Sequence, residues 1–215
     1  MVPDRHTALA LPGRRHRPLS ARGGFALLEL LIVVVLIFVL TTLFLTNGSN
    51  AFQARKKVEC AAQLQLAHVA LKTYALDNHD QLPLVPGART AEEPLSLLIP
   101  RATTGTAVFI CPGSKDAPLP DAQPFAKKRI SYAYYMGRTL ADGADQPLLT
   151  DRQVNTLPKP AGAPLFSPDG KGPGKNHARY GGNVLFCDGS AQPSPPAAAF
   201  VLTNPPNVIL LNPQP

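Results

Sequence analysis

The chain has 215 residues, 24 of them proline, and a formal net charge of +7. That length supports one domain beyond a membrane helix rather than two, and the proline content makes that domain loop-rich. Arg5, Arg14, Arg15, Arg17 and Arg22 stand against Asp4 in residues 1–24, so the remainder carries only +3 of the total; the basic balance is a topology signal more than a nucleic-acid one, and no nucleic-acid partner is expected.

Phe25 to Leu45 is an apolar run of 21 residues with Glu29 as its sole charge. As a helix it covers roughly 31 Å, close to the hydrocarbon thickness of a bilayer. Globular core helices are seldom apolar on every face for this length, so a transmembrane helix is expected. Five basic residues before the run outweigh Arg55-Lys56-Lys57 after it, which favours a cytoplasmic N-terminus. A conventional secretory signal fits less well, because the run is too long and no small-x-small site follows it. An ionisable group inside such a helix is costly and usually has a partner or a task; the plainer alternative is a carboxylate snorkelling to the interface from one turn inside the helix.

The basic leader ending in Gly23-Gly24, followed by Phe25 and then Glu29 as the fifth residue of the run, resembles the type IV prepilin family, which includes the pseudopilins of type II secretion. The resemblance implies cleavage between Gly24 and Phe25 by a prepilin peptidase and N-methylation of Phe25. It also implies that Glu29 pairs with the Phe25 amine of a neighbouring subunit and sets register in a helical bundle. An uncleaved signal anchor is the alternative.

Beyond the run, Thr-Asn-Gly-Ser-Asn at 46–50 marks a place to loosen or kink a helix. Helical periodicity then resumes from Ala51 to about Leu76, with Val58, Ala62, Leu66, Val69 and Leu76 expected on the packed face. His68 and Tyr74 read as ordinary core or boundary residues. Asp77, His79 and Asp80 read as a solvated turn ahead of Pro83 rather than a metal site. Glu92-Glu93-Pro94 opens a short helix docked by Leu95, Leu97, Leu98 and Ile99. Val108–Cys111, Ile130–Met136 and Pro147–Asp151 read as short strands. Lys127-Lys128-Arg129 reads as a solvated edge, and the Pro- and Gly-rich stretch 152–175 as a long loop.

The segment from His177 to Ser190 holds Gly182, Asn183, a Val184-Leu185-Phe186 strand core and an Asp188-Gly189 turn. It resembles the C-terminal His…Asp-Gly element of a large bacterial group of prepilin-like proteins. Ten residues separate His177 from Asp188 here, one more than the family spacing. Cys111-Pro112, Ser131-Tyr132-Ala133-Tyr134 and Thr150-Asp151 also belong to the resembling segments. A catalytic reading of His177 and Asp188 with Cys187 or Ser190 is outweighed by the turn chemistry of Asp and a capping role for His. Zinc through His177, Cys187 and Cys111 lacks any recognised ligand spacing, and no metal site is expected. Some pseudopilins bind calcium through a C-terminal loop; Asp151, Asp169 and Asp188 are the carboxylates in that position, too sparse for a dense oxygen shell. If the domain lies outside the cytoplasm, a Cys111–Cys187 bridge is open to it, with Cys60 left free; three buried thiols is the alternative. Residues 192–215 hold seven prolines and read as an extended tail, whose patch Val208–Leu211 is suited to a sheet edge or a neighbouring subunit.

The expected fold is therefore α+β: a long N-terminal helix, half transmembrane and half amphipathic, packed on a small, loop-rich antiparallel sheet of pilin type. Its parts are a leader (1–24), transmembrane helix (25–45), amphipathic continuation (46–78), extracytoplasmic globular domain (79–191) and proline-rich tail (192–215). By the resemblance, the protein is a non-enzymatic subunit of a pilus-like filament or pseudopilus in the bacterial inner membrane. Its partners would be the prepilin peptidase, other pilin or pseudopilin subunits, the inner-membrane assembly platform and the bilayer. The competing class is a signal-anchored extracytoplasmic binding domain or enzyme that never assembles, and a DNA-uptake pilin is a third option.

Overall fold

A computed structural model describes residues 27–125 and 127–215, with the backbone alone for 45–50. The leader and the Gly24–Phe25 junction lie outside the described residues. The chain divides into two compact units, Met1–Thr46 and Asn47–Pro215. Helix α1 (Leu27–Asp77) is 51 residues long, and its backbone stays helical through 46–50.

In the first unit, Leu27–Phe44 has no buried residue and is long and apolar enough to cross a membrane. Among the described residues it is the one helix of that kind. Glu29 lies in its first turn and is exposed.

The second unit is an α+β domain. Its sheet has five strands, β1 (Tyr132–Met136), β2 (Pro147–Asp151), β3 (Gly182–Phe186), β4 (Ala191–Ser194) and β5 (Ile209–Leu211). They run in the order β4-β3-β2-β1-β5, with every pair antiparallel. Aromatic and β-branched residues favour the pleated surface, and Asp188-Gly189 turns β3 into β4. The strand expected at Val108–Cys111 is instead a 3-10 turn (Thr106–Phe109) running into extended chain. The short helix α2 (Glu92–Leu95) forms where Glu-Glu-Pro predicted it, with Leu95 and Leu98 buried and Leu97 left exposed.

β1, β2 and β3 are buried at every position, because both faces of the sheet are covered. On one face Tyr132, Tyr134, Met136, Leu149, Leu185 and Leu211 share a core with α1. On the other, Val184 and Phe186 pack with Leu165, Phe166, Ala198 and Leu202, and Ala133 and Tyr135 pack with Val208 and Leu210. The residues expected to be loop and tail therefore supply the second layer. Residues 192–215 do not trail away: β4 pairs with β3, and β5 pairs with β1 through Tyr134↔Leu211 and Tyr135↔Leu210. Beyond β5, Asn212 exchanges hydrogen bonds with Gln153, and the Gln214 amide donates to the buried Glu92 carboxylate at 2.9 Å.

The face of α1 that packs on the sheet also differs from expectation. The buried positions are Cys60, Leu64, Ala67, Ala70, Leu71 and Ala75, with His68 at the rim. Val58, Leu66, Val69 and Leu76 are 56–79% exposed. Cys60 and Val69 lie nine residues apart, about two and a half turns at ~3.6 residues per turn, which sets the two stripes on opposite sides. Both stripes are apolar, so periodicity could not choose between them. The small side chains of Cys60, Ala67, Ala70 and Ala75 let the helix backbone come close to the sheet, whereas the Val/Leu stripe does not.

Candidate functional site

Four side chains from distant parts of the chain meet beneath α1. Cys60 comes from the buried stripe of the helix and Cys111 from the chain leaving the 3-10 turn. Asp151 ends β2, opposite Tyr132 in β1, and His177 comes from the loop that enters β3. Their ligand-type atoms all lie within 4.8 Å of one another, and none of the four is more than 1% exposed.

Asp151 is the hub. Its Oδ1 accepts from Asn176 Nδ2 at 2.7 Å, and its Oδ2 from the Asn183 amide at 2.8 Å. His177 Nε2 stands 3.3 Å from Oδ2, and the Cys60 thiol donates to the carboxylate at 3.3 Å. Cys111 Sγ lies 3.3 Å from His177 Nε2, and Tyr132 OH lies 3.3 Å from Cys60 Sγ. His177 Nδ1 is buried without a hydrogen-bond partner. Gly113 makes this packing possible, since a Cβ there would fall onto His177 Nδ1. At Gly182 a Cβ would come within 2.9 Å of Asp151 Cβ, so glycine is required there as well.

Burial raises the carboxyl's affinity for a proton, yet the His177 charge and the hydrogen bonds from His177, Asn176 and Asn183 hold Asp151 below its ordinary range. Burial lowers His177, but Asp151 and Cys111 override it and push His177 up to about 10. Burial also pushes Cys60 well up, as do Cys111 and Asp151 beside it. For Cys111 the bonds from Cys60 and His177, with the His177 charge, outweigh burial and lower its pKa, the opposite direction to Cys60. Lys57 on the helix approaches from above, donating to the Tyr180 and Ser194 carbonyls at 2.9 and 3.4 Å while feeling the charges of Asp151 and Cys60. With every donor buried, the cluster offers its atoms to one another or to a small ion and closes them to a substrate.

The residues singled out in the sequence separate into two groups. His177, Gly182 and Asn183 build the wall around Asp151, and Asn183 Nδ2 also donates to the Lys57 carbonyl at 3.0 Å. Asp188 and Gly189 belong elsewhere. The Asp188 carboxylate accepts from the Ser190 amide at 2.8 Å in an exposed turn, so it forms no pair with His177, whose carboxylate is Asp151. Cys111 and Cys187 are free thiols in the structure: Cys111 is turned toward His177 and Cys60, and no Cys111–Cys187 bridge forms. Nor do the three carboxylates weighed for calcium converge, since Asp169 accepts from Ser167 Oγ and the Lys171 amide in its own loop. Asp77, His79 and Asp80 are exposed at the turn that ends α1. Cys60 and Asp151 were missed as partners of Cys111 and His177, because no two of the four lie close enough in sequence to make a local motif. One signal was present: Cys111-Pro112, Ser131–Tyr134, Thr150-Asp151 and the His177 segment, all singled out in the sequence, meet at this point.

Gly189 has φ +88, and a Cβ there would come within 2.7 Å of His68, whose Nε2 lies 3.1 Å from the Cys187 carbonyl. Burial, aided by Lys72 and opposed by the Cys187 carbonyl and Asp188, lowers the His68 pKa. The folded chain therefore resists a proton that the unfolded chain accepts near pH ~6.5, so His68 contributes stability above that value that is lost as pH falls below it. Between about pH 7.5 and about pH 5.5, the melting temperature of the wild type is expected to fall more steeply than that of His68→Gln. Parallel curves in thermal unfolding would refute this.

No family model, no curated protein and no solved structure matches this chain.

Proposed function

We propose that the protein is a type IV pilin-like structural subunit of an envelope filament or type II secretion pseudopilus, with no chemistry of its own. The observation that carries this reading is the uncovered apolar surface of α1, which runs through Leu27–Phe44 and recurs at Val58, Leu66, Val69 and Leu76. A helix that leaves both lipid-length and domain-level apolar residues unpartnered is suited to helix-to-helix packing between subunits, first in lipid and then in a bundle. The precursor would sit in the bacterial inner membrane with its N-terminus in the cytoplasm. A prepilin peptidase would cut after Gly24, and Phe25 would be N-methylated. Glu29, exposed in the first turn of α1, is free to meet the amine of Phe25 on a neighbouring subunit. In low dielectric such a pair decides register more than stability. The small antiparallel sheet beside α1 is compatible with a pilin-type domain.

Intact mass and N-terminal sequencing of the membrane-extracted protein test the reading. A chain beginning at methylated Phe25 is expected, and retention of residues 1–24 would replace the reading with a plain membrane anchor. Glu29→Ala is expected to leave processing intact and to remove the subunit from sheared or cross-linked filament fractions. Normal incorporation of that variant would overturn the role of Glu29.

A further inference from the structure

We propose that Cys60, Cys111, Asp151 and His177 form a structural zinc site that ties α1 to the sheet and to the loop before β3. The donor set is right for that ion: two thiolates, an imidazole nitrogen and a carboxylate oxygen are all zinc ligands, and the soft sulfurs favour zinc over calcium or magnesium. The geometry is right as well. Tetrahedral coordination at Zn–S ~2.3 Å and Zn–N or Zn–O ~2.0 to 2.1 Å places neighbouring donors about 3.3 to 3.8 Å apart. Cys111 Sγ to His177 Nε2, His177 Nε2 to Asp151 Oδ2, and Cys60 Sγ to Asp151 Oδ1 each measure 3.3 Å, with no pair of donor atoms beyond 4.8 Å.

The surroundings are compatible with a metal site. Without an ion the Cys60 thiol and the His177 ring face the Asp151 carboxylate as donors, and a cation would instead take all four groups as ligands at once. Two thiolates and a carboxylate around a divalent ion leave one negative charge, and Lys57, which interacts electrostatically with Asp151 and Cys60 while its Nζ donates to the Tyr180 and Ser194 carbonyls, is the cation beside it. Asn176 and Asn183 hold Asp151 in place through bonds of 2.7 and 2.8 Å, the outer layer that orients a ligating carboxylate.

The test uses full-length protein extracted in detergent. Elemental analysis after growth with zinc is expected to find one zinc ion per chain. Cobalt(II) replacing it is expected to give the visible bands of a tetrahedral site and a near-ultraviolet thiolate-to-cobalt charge-transfer band. Cys111→Ser should weaken the charge-transfer band. Asn176→Ala, which keeps all four ligands, should reduce cobalt affinity by about 10- to 100-fold. A wild-type chain without zinc and without the thiolate–cobalt band overturns the proposal, as does a Cys60–Cys111 disulfide in protein taken from cells. These readouts come from the folded wild type and are independent of whether the subunit assembles.

Discussion

Asp151→Ala is expected to cost about 3 to 5 kcal/mol of folding stability, the range for breaking a buried charged network from one side. The substitution leaves the His177 imidazole, the Asn176 amide and the Asn183 backbone N–H without this acceptor in a fully buried site. For a chain of this size that is roughly 6 to 20 °C in melting temperature. Asp151→Asn, which keeps the volume and an acceptor oxygen, should cost less. Circular dichroism of the detergent-extracted chain reads both. A loss under about 1 kcal/mol for the alanine variant would mean that the site holds the fold together far less than its contacts imply.

The second large effect separates the two faces of α1. Leu71 is fully buried against the sheet, so Leu71→Ala should destabilise the domain by about 2 to 5 kcal/mol. Leu66 is 56% exposed on the opposite side, and Leu66→Ala should change stability by no more than about 0.5 kcal/mol. On the proposed assembly reading, Leu66→Asp with Val69→Asp should leave the melting temperature near that of the wild type and abolish cross-linking between subunits. Equal destabilisation by Leu71→Ala and Leu66→Ala would reverse the assignment of faces, and unimpaired cross-linking of the double variant would remove the exposed stripe from the assembly surface.

These two experiments bear on the places where the sequence was hardest to read. Residues 58–76 carry apolar side chains on opposite sides of the helix, and nothing in a one-dimensional pattern says which side meets a sheet. The choice falls to side-chain size: Ala67, Ala70 and Ala75 permit close approach, and Leu64 and Leu71 fill the remaining space. The tail misled for a similar reason. Seven prolines exclude a helix, but they do not prevent Ile209–Leu211 from closing the β1 edge or Val208 and Leu210 from covering Tyr135. Val108–Cys111 has the composition of a strand, yet a 3-10 turn takes its first half and delivers Cys111 to His177.

What the sequence determined by itself were the features that depend on neighbours in the chain. A 21-residue run whose sole charge is Glu29 specifies a helix of membrane length, aromatic residues specify β1, and Asp188-Gly189 specifies the turn between β3 and β4. The four-residue cluster was decided by tertiary structure alone. Its members are separated by tens of residues, each reads locally as something ordinary, and their shared chemistry arises when the β1–β2 register sets Asp151 opposite Tyr132 and the α1 packing face brings Cys60 down upon it. Their proximity then changes what those groups are: Asp151 and Cys111 raise the affinity of His177 for a proton against the effect of burial, and a spare thiol becomes a buried donor to the Asp151 carboxylate.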